Sequence, residues 1–199
     1  MKEIIRSSIA ILLATVIMAA LPTEAEARIY DDTLRLHILA ASDGDSDQQL
    51  KLMLRDRLLE KYGGILSGSR DISGAVELTR EMLPEIEKDC NLWVTGWGWD
   101  YKVTAELSEE WYDTRVYEDF TLPRGIYSSL IIRIGGGEGK NWWCVMFPPL
   151  CLDMATEPSP ADDGVIKYSK EESKLISKGG YNIKFKLLEL FSDAFWKKG

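Results

Sequence analysis

Histidine occurs once in these 199 residues and cysteine three times. Any histidine-dependent mechanism therefore rests on His37 alone, and three cysteines without a CxxC pair leave no tetrahedral zinc set. Basic side chains are in the minority, 24 Lys and Arg against 32 Asp and Glu, for a formal net charge of −8. Phosphate backbones demand a basic footprint, so this balance argues against nucleic acid as a partner. Long hydrophobic runs are also scarce. The stretch over residues 9–21 has no counterpart later in the chain, so no second membrane-spanning candidate exists, and no internal repeat is apparent.

The one apolar run is preceded by Lys2 and Arg6 and followed by Pro22 and the small-x-small triplet Ala25, Glu26, Ala27. That is the layout of a secretory signal cleaved before Arg28. The run is short against the roughly 20 residues of a spanning helix, and an uncleaved anchor is the alternative. No cysteine follows it to accept lipid. The remaining chain is acidic over residues 28–164, whereas residues 165–199 hold eight lysines against four acids. A basic tail of this kind docks on the acidic body of its own domain or meets an acidic partner or membrane surface.

With 45% apolar residues the chain is long enough for one domain with a core of its own. LRLHILA over residues 34–40 alternates as a first strand. Ser46 and Gln49 have capping-box spacing before a helix over 47–61, which Gly63 and Gly64 are expected to stop. A second helix spans 71–82, and Pro84 either kinks it or opens a third reaching Trp93. Residues 101–107 alternate as the first strand of a meander, with a partner strand near 112–117, a turn at LPRGIY, a strand at 127–134 and a last one in NWWCVMF. This order predicts an α+β fold, an antiparallel or mixed sheet with helices packed on one face, in a single domain. The expected organisation is a signal at 1–27, the domain at 28–152, a linker or long loop at 153–168, and a helix, edge strand and helix at 169–199 that dock on the domain.

The chemical motifs fail when their spacing is checked. GGGEGKN follows a strand and ends in Gly-Lys, but the first glycine comes one residue too late for a phosphate loop, Asn141 replaces the hydroxyl, and a strand follows instead of a helix. Asp43, Asp45 and Asp47 alternate like calcium ligands, yet Gln48 and Leu54 stand where that loop needs glycine and glutamate. Acidic residues at a helix start are explained by its unpaired N–H groups. His37 and Cys144 form a thiol nucleophile and base only if they lie within hydrogen-bond reach. In an exported chain, Cys144 and Cys151 flank a proline turn and are candidates for a disulfide closing eight residues, worth about 2.5 kcal/mol in the chain-entropy model. The alternative is two reduced thiols packed in the core. In NWWCVMFPPLC, alternation sends Trp142, Cys144 and Met146 to one face and Trp143, Val145 and Phe147 to the other.

Three segments, LRLHILAASDGDSDQQLKLMLRDRLLE, YEDFTLPRGIYSSLIIRIGGGEGKNWWCVMFPPLC and NIKFKLLEL, together resemble the stage II sporulation protein R family of endospore-forming Gram-positive bacteria. The NWWCVMFPPLC block with its G-x-G-K lead-in carries most of the specificity. Ala41 departs from the family's A-N-S-D pattern, whereas Ser42 and Asp43 match it. The resemblance implies a non-enzymatic signalling protein without cofactor or small-molecule substrate, secreted into the space between forespore and mother cell. Its implied partner is the extracytoplasmic part of a membrane-bound aspartic protease that processes an inactive sigma factor. Loops carried on a rigid sheet are where recognition usually sits. The expected contacts are therefore Ser42, Asp43 and Asp47, the turn at Pro123 and Arg124, and the rim of Trp142, Trp143, Phe147, Pro148 and Pro149. A cell-wall or carbohydrate-binding module, motivated by export and tryptophan density, is the alternative function.

Overall fold

The computed structural model describes residues 2–20, 24–117 and 121–148. Strand β1 (Leu34–Leu39) lies at the centre of a four-stranded sheet. It runs parallel to β5 (Gly125–Ile134) and antiparallel to β6 (Asn141–Phe147), and β2 (Val103–Tyr112) is antiparallel to β5 on the far edge. The fold is α+β with a mixed sheet, as the sequence led one to expect. Alternation places Leu34, Leu36 and Ile38 on one face, where they meet Leu130, Ile132, Ile134 and Cys144 in the main core. Helices α3 (Asp45–Leu58), α4 (Gly64–Ser67) and α5 (Ile72–Gly96) cover that face with Leu50, Leu54, Leu58, Ile86, Cys90 and Val94.

The helices depart from expectation at three places. Ser46 does not cap α3; the helix begins at Asp45 with Gly44 at the cap position and no side-chain cap bond, because Ser46 Oγ instead accepts from Trp99 Nε1 at 3.2 Å. Gly63 and Gly64 do not stop the chain. A π-helical turn over Leu59–Gly63 carries it into α4, which lets Tyr62 and Leu66 both reach the core. Residues 72–96 form one helix that runs through Pro84, started by Asp71, whose side chain accepts from Gly74 N at 2.8 Å.

The meander is also corrected. β2 extends to Tyr112 and takes β5 as its partner, while residues 112–117 supply only β3 (Arg115–Val116), paired with β4 (Thr121–Leu122) in a separate ribbon. An edge strand tolerates the polar run Ser108–Glu110, and α5 shields part of its open edge. Asn91 Oδ1 accepts from Val103 N at 2.9 Å, its Nδ2 donates to Val103 O at 2.7 Å, and Glu87 Oε2 accepts from Ala105 N at 2.9 Å. In β6 a register shift opposite Leu34 and Arg35 breaks the alternation, so Phe147 joins Met146 in the main core and does not follow Trp143 and Val145.

The second face of the sheet carries a smaller cluster of Ile29, Tyr112, Leu122, Tyr127 and Val145. Ile29 comes from α2 (Glu24–Asp31), so the cleavage expected before Arg28 falls inside that helix and leaves Ile29 and Tyr30 with the domain. Residues 2–20 form α1 (Lys2–Ala20); among the described residues no helix is long and apolar enough to cross a membrane. The linker and tail expected at 153–199 lie outside the described residues.

Candidate functional site

Parallel strands β1 and β5 end at the same edge of the domain, and the loops leaving them are joined there. Gly139 N donates to Ala40 O at 2.9 Å, and Lys140 N donates to Asp43 Oδ1 at 2.7 Å. The glycine-rich stretch is explained by this approach, since a Cβ at residue 139 would lie 2.2 Å from the Ser42 carbonyl oxygen. Ser42 Oγ donates to Asp47 Oδ2 at 2.6 Å and accepts from Gly44 N at 3.1 Å, and Tyr101 donates to the same Asp47 oxygen at 3.2 Å. Lys51 Nζ donates to Gln48 Oε1 at 2.6 Å and Lys140 O at 2.9 Å. Burial pulls the Lys51 ammonium below its ordinary pKa against the opposing charge of Asp43, with Lys140 and Arg55 adding to the fall. Burial and the neighbouring Asp47 push the Tyr101 hydroxyl up.

The expected contact residues do not form one surface. Ser42 and Asp43 are exposed on this corner, Asp47 is buried beneath them, and Trp142 stands half-buried nearby, paired with Ile38 and covered by Arg55 at 5.2 Å. Pro123, Arg124, Phe147 and Pro148 are at the opposite end of the sheet. There Pro123, Phe147 and Pro148 are buried, and the Pro123 carbonyl accepts from Tyr127 OH at 2.6 Å, so these three brace the domain from inside and do not present a rim. Trp143 faces the second side of the sheet. Pro149 lies outside the described residues.

Cys144 opposes Leu36 and His37 opposes Trp143, which puts Cys144 and His37 on opposite faces and rules out a nucleophile–base pair between them. Cys144 is disulfide-bonded; Cys151, the partner expected for it, lies outside the described residues. Cys90 is a free, buried thiol. Of the tryptophans between residues 93 and 143, Trp111 is the exposed one, at 63%.

Sequence reasoning passed over a polar group on the second face. His37 Nδ1 and Tyr112 OH both bond Glu110 Oε2, at 2.8 and 2.7 Å, and the His37 ring stacks on Trp143 at 5.5 Å. Arg35 sits between the rings of Tyr112 and Tyr127, at 3.9 and 4.9 Å. The signal was present in LRLHIL, whose alternation puts Arg35 and His37 together on the face away from Leu34, Leu36 and Ile38.

Residues 30–157 match the family described as Stage II sporulation protein R (spore_II_R). The chain belongs to the stage II sporulation protein R family. It is similar to Stage II sporulation protein R of Bacillus subtilis (strain 168), with 30% identity over 186 residues that cover 84% of this chain and 83% of that one. No solved structure matches it. The matched segment of this sporulation protein R chain begins at Tyr30, which packs edge-on against Tyr127 at 5.3 Å, and takes in both the corner and the second face.

Proposed function

We propose that the protein is an exported signal of endospore formation. It is secreted into the space between forespore and mother cell, binds the extracytoplasmic part of a membrane-bound aspartic protease, and shifts that protease toward its active state, leading to processing of an inactive mother-cell sigma factor. Membership of the sporulation protein R family over residues 30–157 carries this reading. The signal-like layout up to Ala27 supports export. The corner supports recognition: Ser42 and Asp43 hold a loop whose exposed edge is fixed by backbone partners, and a pre-shaped loop loses little freedom on binding. A ligand activates only through a difference in affinity for the two states of its receptor.

The test is deletion of the gene in sporulating cells, with complementation. Processing of the sigma-factor precursor should stop in the deletion strain and return with the wild-type gene. Ser42→Ala and Asp43→Asn should restore it poorly while the protein is still secreted. Normal processing in the deletion strain sinks the reading. A cell-wall module is the second reading, favoured by the exposed Trp111. It requires sedimentation of the full chain with purified peptidoglycan, lost in Trp111→Ala.

A further inference from the structure

The second face of the sheet holds two guanidinium groups in a setting that calls for an anion. Arg35 is fully buried, and Nη2 donates to Tyr117 OH at 2.9 Å, but Nε and Nη1 have no hydrogen-bond partner. Arg115 lies over the Trp143 ring at 3.7 Å, and its Nε is likewise buried and unpartnered. His37, 7% exposed, stacks on the same Trp143 ring and leaves Nε2 without a partner. The two guanidinium groups are joined through the rings between them: Arg35 lies over Tyr112, which meets His37 edge-on at 6.2 Å, and His37 stacks on the Trp143 ring that Arg115 covers. Neither has a carboxylate partner among the described residues. The one acid of the cluster, Glu110, is engaged by His37 and Tyr112.

A buried guanidinium flanked by tyrosine rings gains from cation–π contact, but ring faces do not replace a counter-charge, and an unpaired buried charge is expensive to keep. Such groups persist where they meet a ligand, and planar N–H forks suit carboxylates. Glu110, Trp143, Arg115 and Tyr117 are only partly buried, so an anion would approach past them. We propose that Arg35 and Arg115, with the His37 and Trp143 rings between them, form a carboxylate-binding site, filled either by an acidic side chain of a protein partner or by a free small carboxylate. This goes beyond the signalling reading and does not rest on it, because binding is read on the purified chain.

The experiment titrates the full chain, labelled with 15N-arginine, with sodium acetate, with N-acetylglutamate amide and with inorganic phosphate, each against sodium chloride at equal ionic strength. The Arg35 Nε–H resonance, assigned by its loss in Arg35→Lys, should move saturably with both carboxylates, and so should that of Arg115, assigned by its loss in Arg115→Lys. Tighter binding of the glutamyl compound points to a protein side chain as the source, and equal or tighter binding of acetate to a free carboxylate. Followed on the Arg115 resonance, Arg35→Lys should weaken binding about tenfold or more, the equivalent of one charge-assisted hydrogen bond. Arg35→Met should abolish the Arg115 response while its melting temperature is unchanged or raised. If Arg35→Met does not fold, the wild-type titration decides alone. A wild-type resonance that follows chloride as it follows acetate, a preference for phosphate, or an undiminished Arg115 response in folded Arg35→Met overturns the proposal.

Discussion

Gly139→Ala isolates the joint between the two corner loops. The added Cβ would sit 2.2 Å from the Ser42 carbonyl oxygen, 2.4 Å from its carbon and 2.9 Å from its Cα. These are backbone atoms, with no rotamer to escape into, so the loops must part. Parting them stretches the Gly139 to Ala40 bond at 2.9 Å and the Lys140 to Asp43 bond at 2.7 Å. Overpacking costs about 1–3 kcal/mol and each strained bond about 0.5–1.5, which sets the expected loss at about 2–6 kcal/mol. In a chain of this size that is roughly 4–24 °C of melting temperature. Urea unfolding of the purified chain, followed by tryptophan fluorescence, measures it from the shift in midpoint. Two controls bracket the result. Gly136→Ala meets only the flexible Glu138 side chain, at 3.4 Å, and should stay within about 0.5 kcal/mol of wild type. Gly96→Ala, at the end of α5 with nothing within 4 Å, should gain about 0.4–1 kcal/mol. A Gly139→Ala midpoint equal to that of Gly136→Ala would refute the close packing of the loops.

Three further outcomes are expected. Asp71→Ala removes the cap of α5 and should lower stability by about 0.5–2 kcal/mol in the same assay, whereas Asp71→Asn should restore most of it. Burial, with Asp89 and Glu87 acting in the same direction, pushes the Cys90 thiol up to about 12. Iodoacetamide at about pH 8 should therefore leave Cys90 unlabelled in the native protein and modify it in urea, as read by peptide mass, and native labelling at the rate of a free thiol contradicts its burial. Lys61 and Tyr62 donate to Asp89 and hold its carboxyl below its ordinary value, so the unfolded chain takes up that proton first. The stabilisation is complete above the ordinary value and fades as pH falls through the lower folded one; the deficit of Asp89→Asn should be full near about pH 6 and shrink as pH falls below the ordinary carboxyl range.

The legible parts of the fold were those written in local periodicity. β1, β5 and β6 announce themselves through alternation or unbroken apolar runs, and α3 and α5 through their apolar stripes. What stayed hidden depends on partners distant in the chain. Ser46 and Gln49 have the spacing of a capping box, but Trp99, 53 residues away, takes the Ser46 hydroxyl. The glycine pair at 63 and 64 reads as a stop until the core claims Tyr62 and Leu66 on either side. β2 reads as broken at Ser108–Glu110 because nothing local shows it to be an edge strand. At the corner, Ser42 and Asp43 could be named from the turn-rich run before a helix. Their real constraint is Gly139 and Lys140, 97 residues from Asp43 in the case of the hydrogen bond.

The two polar regions sit differently in the energetics of the domain. The corner is tied by hydrogen bonds between its two loops and by Lys51 and Tyr101, so its residues stabilise the shape they present. The second face keeps buried nitrogens unsatisfied beside aromatic rings, which lowers stability until a bound anion meets them. Arg35 and Ser42 stand near opposite ends of β1, roughly 20 Å apart at the rise of an extended strand. They share no hydrogen-bond partner, so their effects on stability should add. Under the proposed function, non-additive loss of signalling in a double variant, with additive stability, would then place both regions against the same partner, because no described hydrogen bond links them.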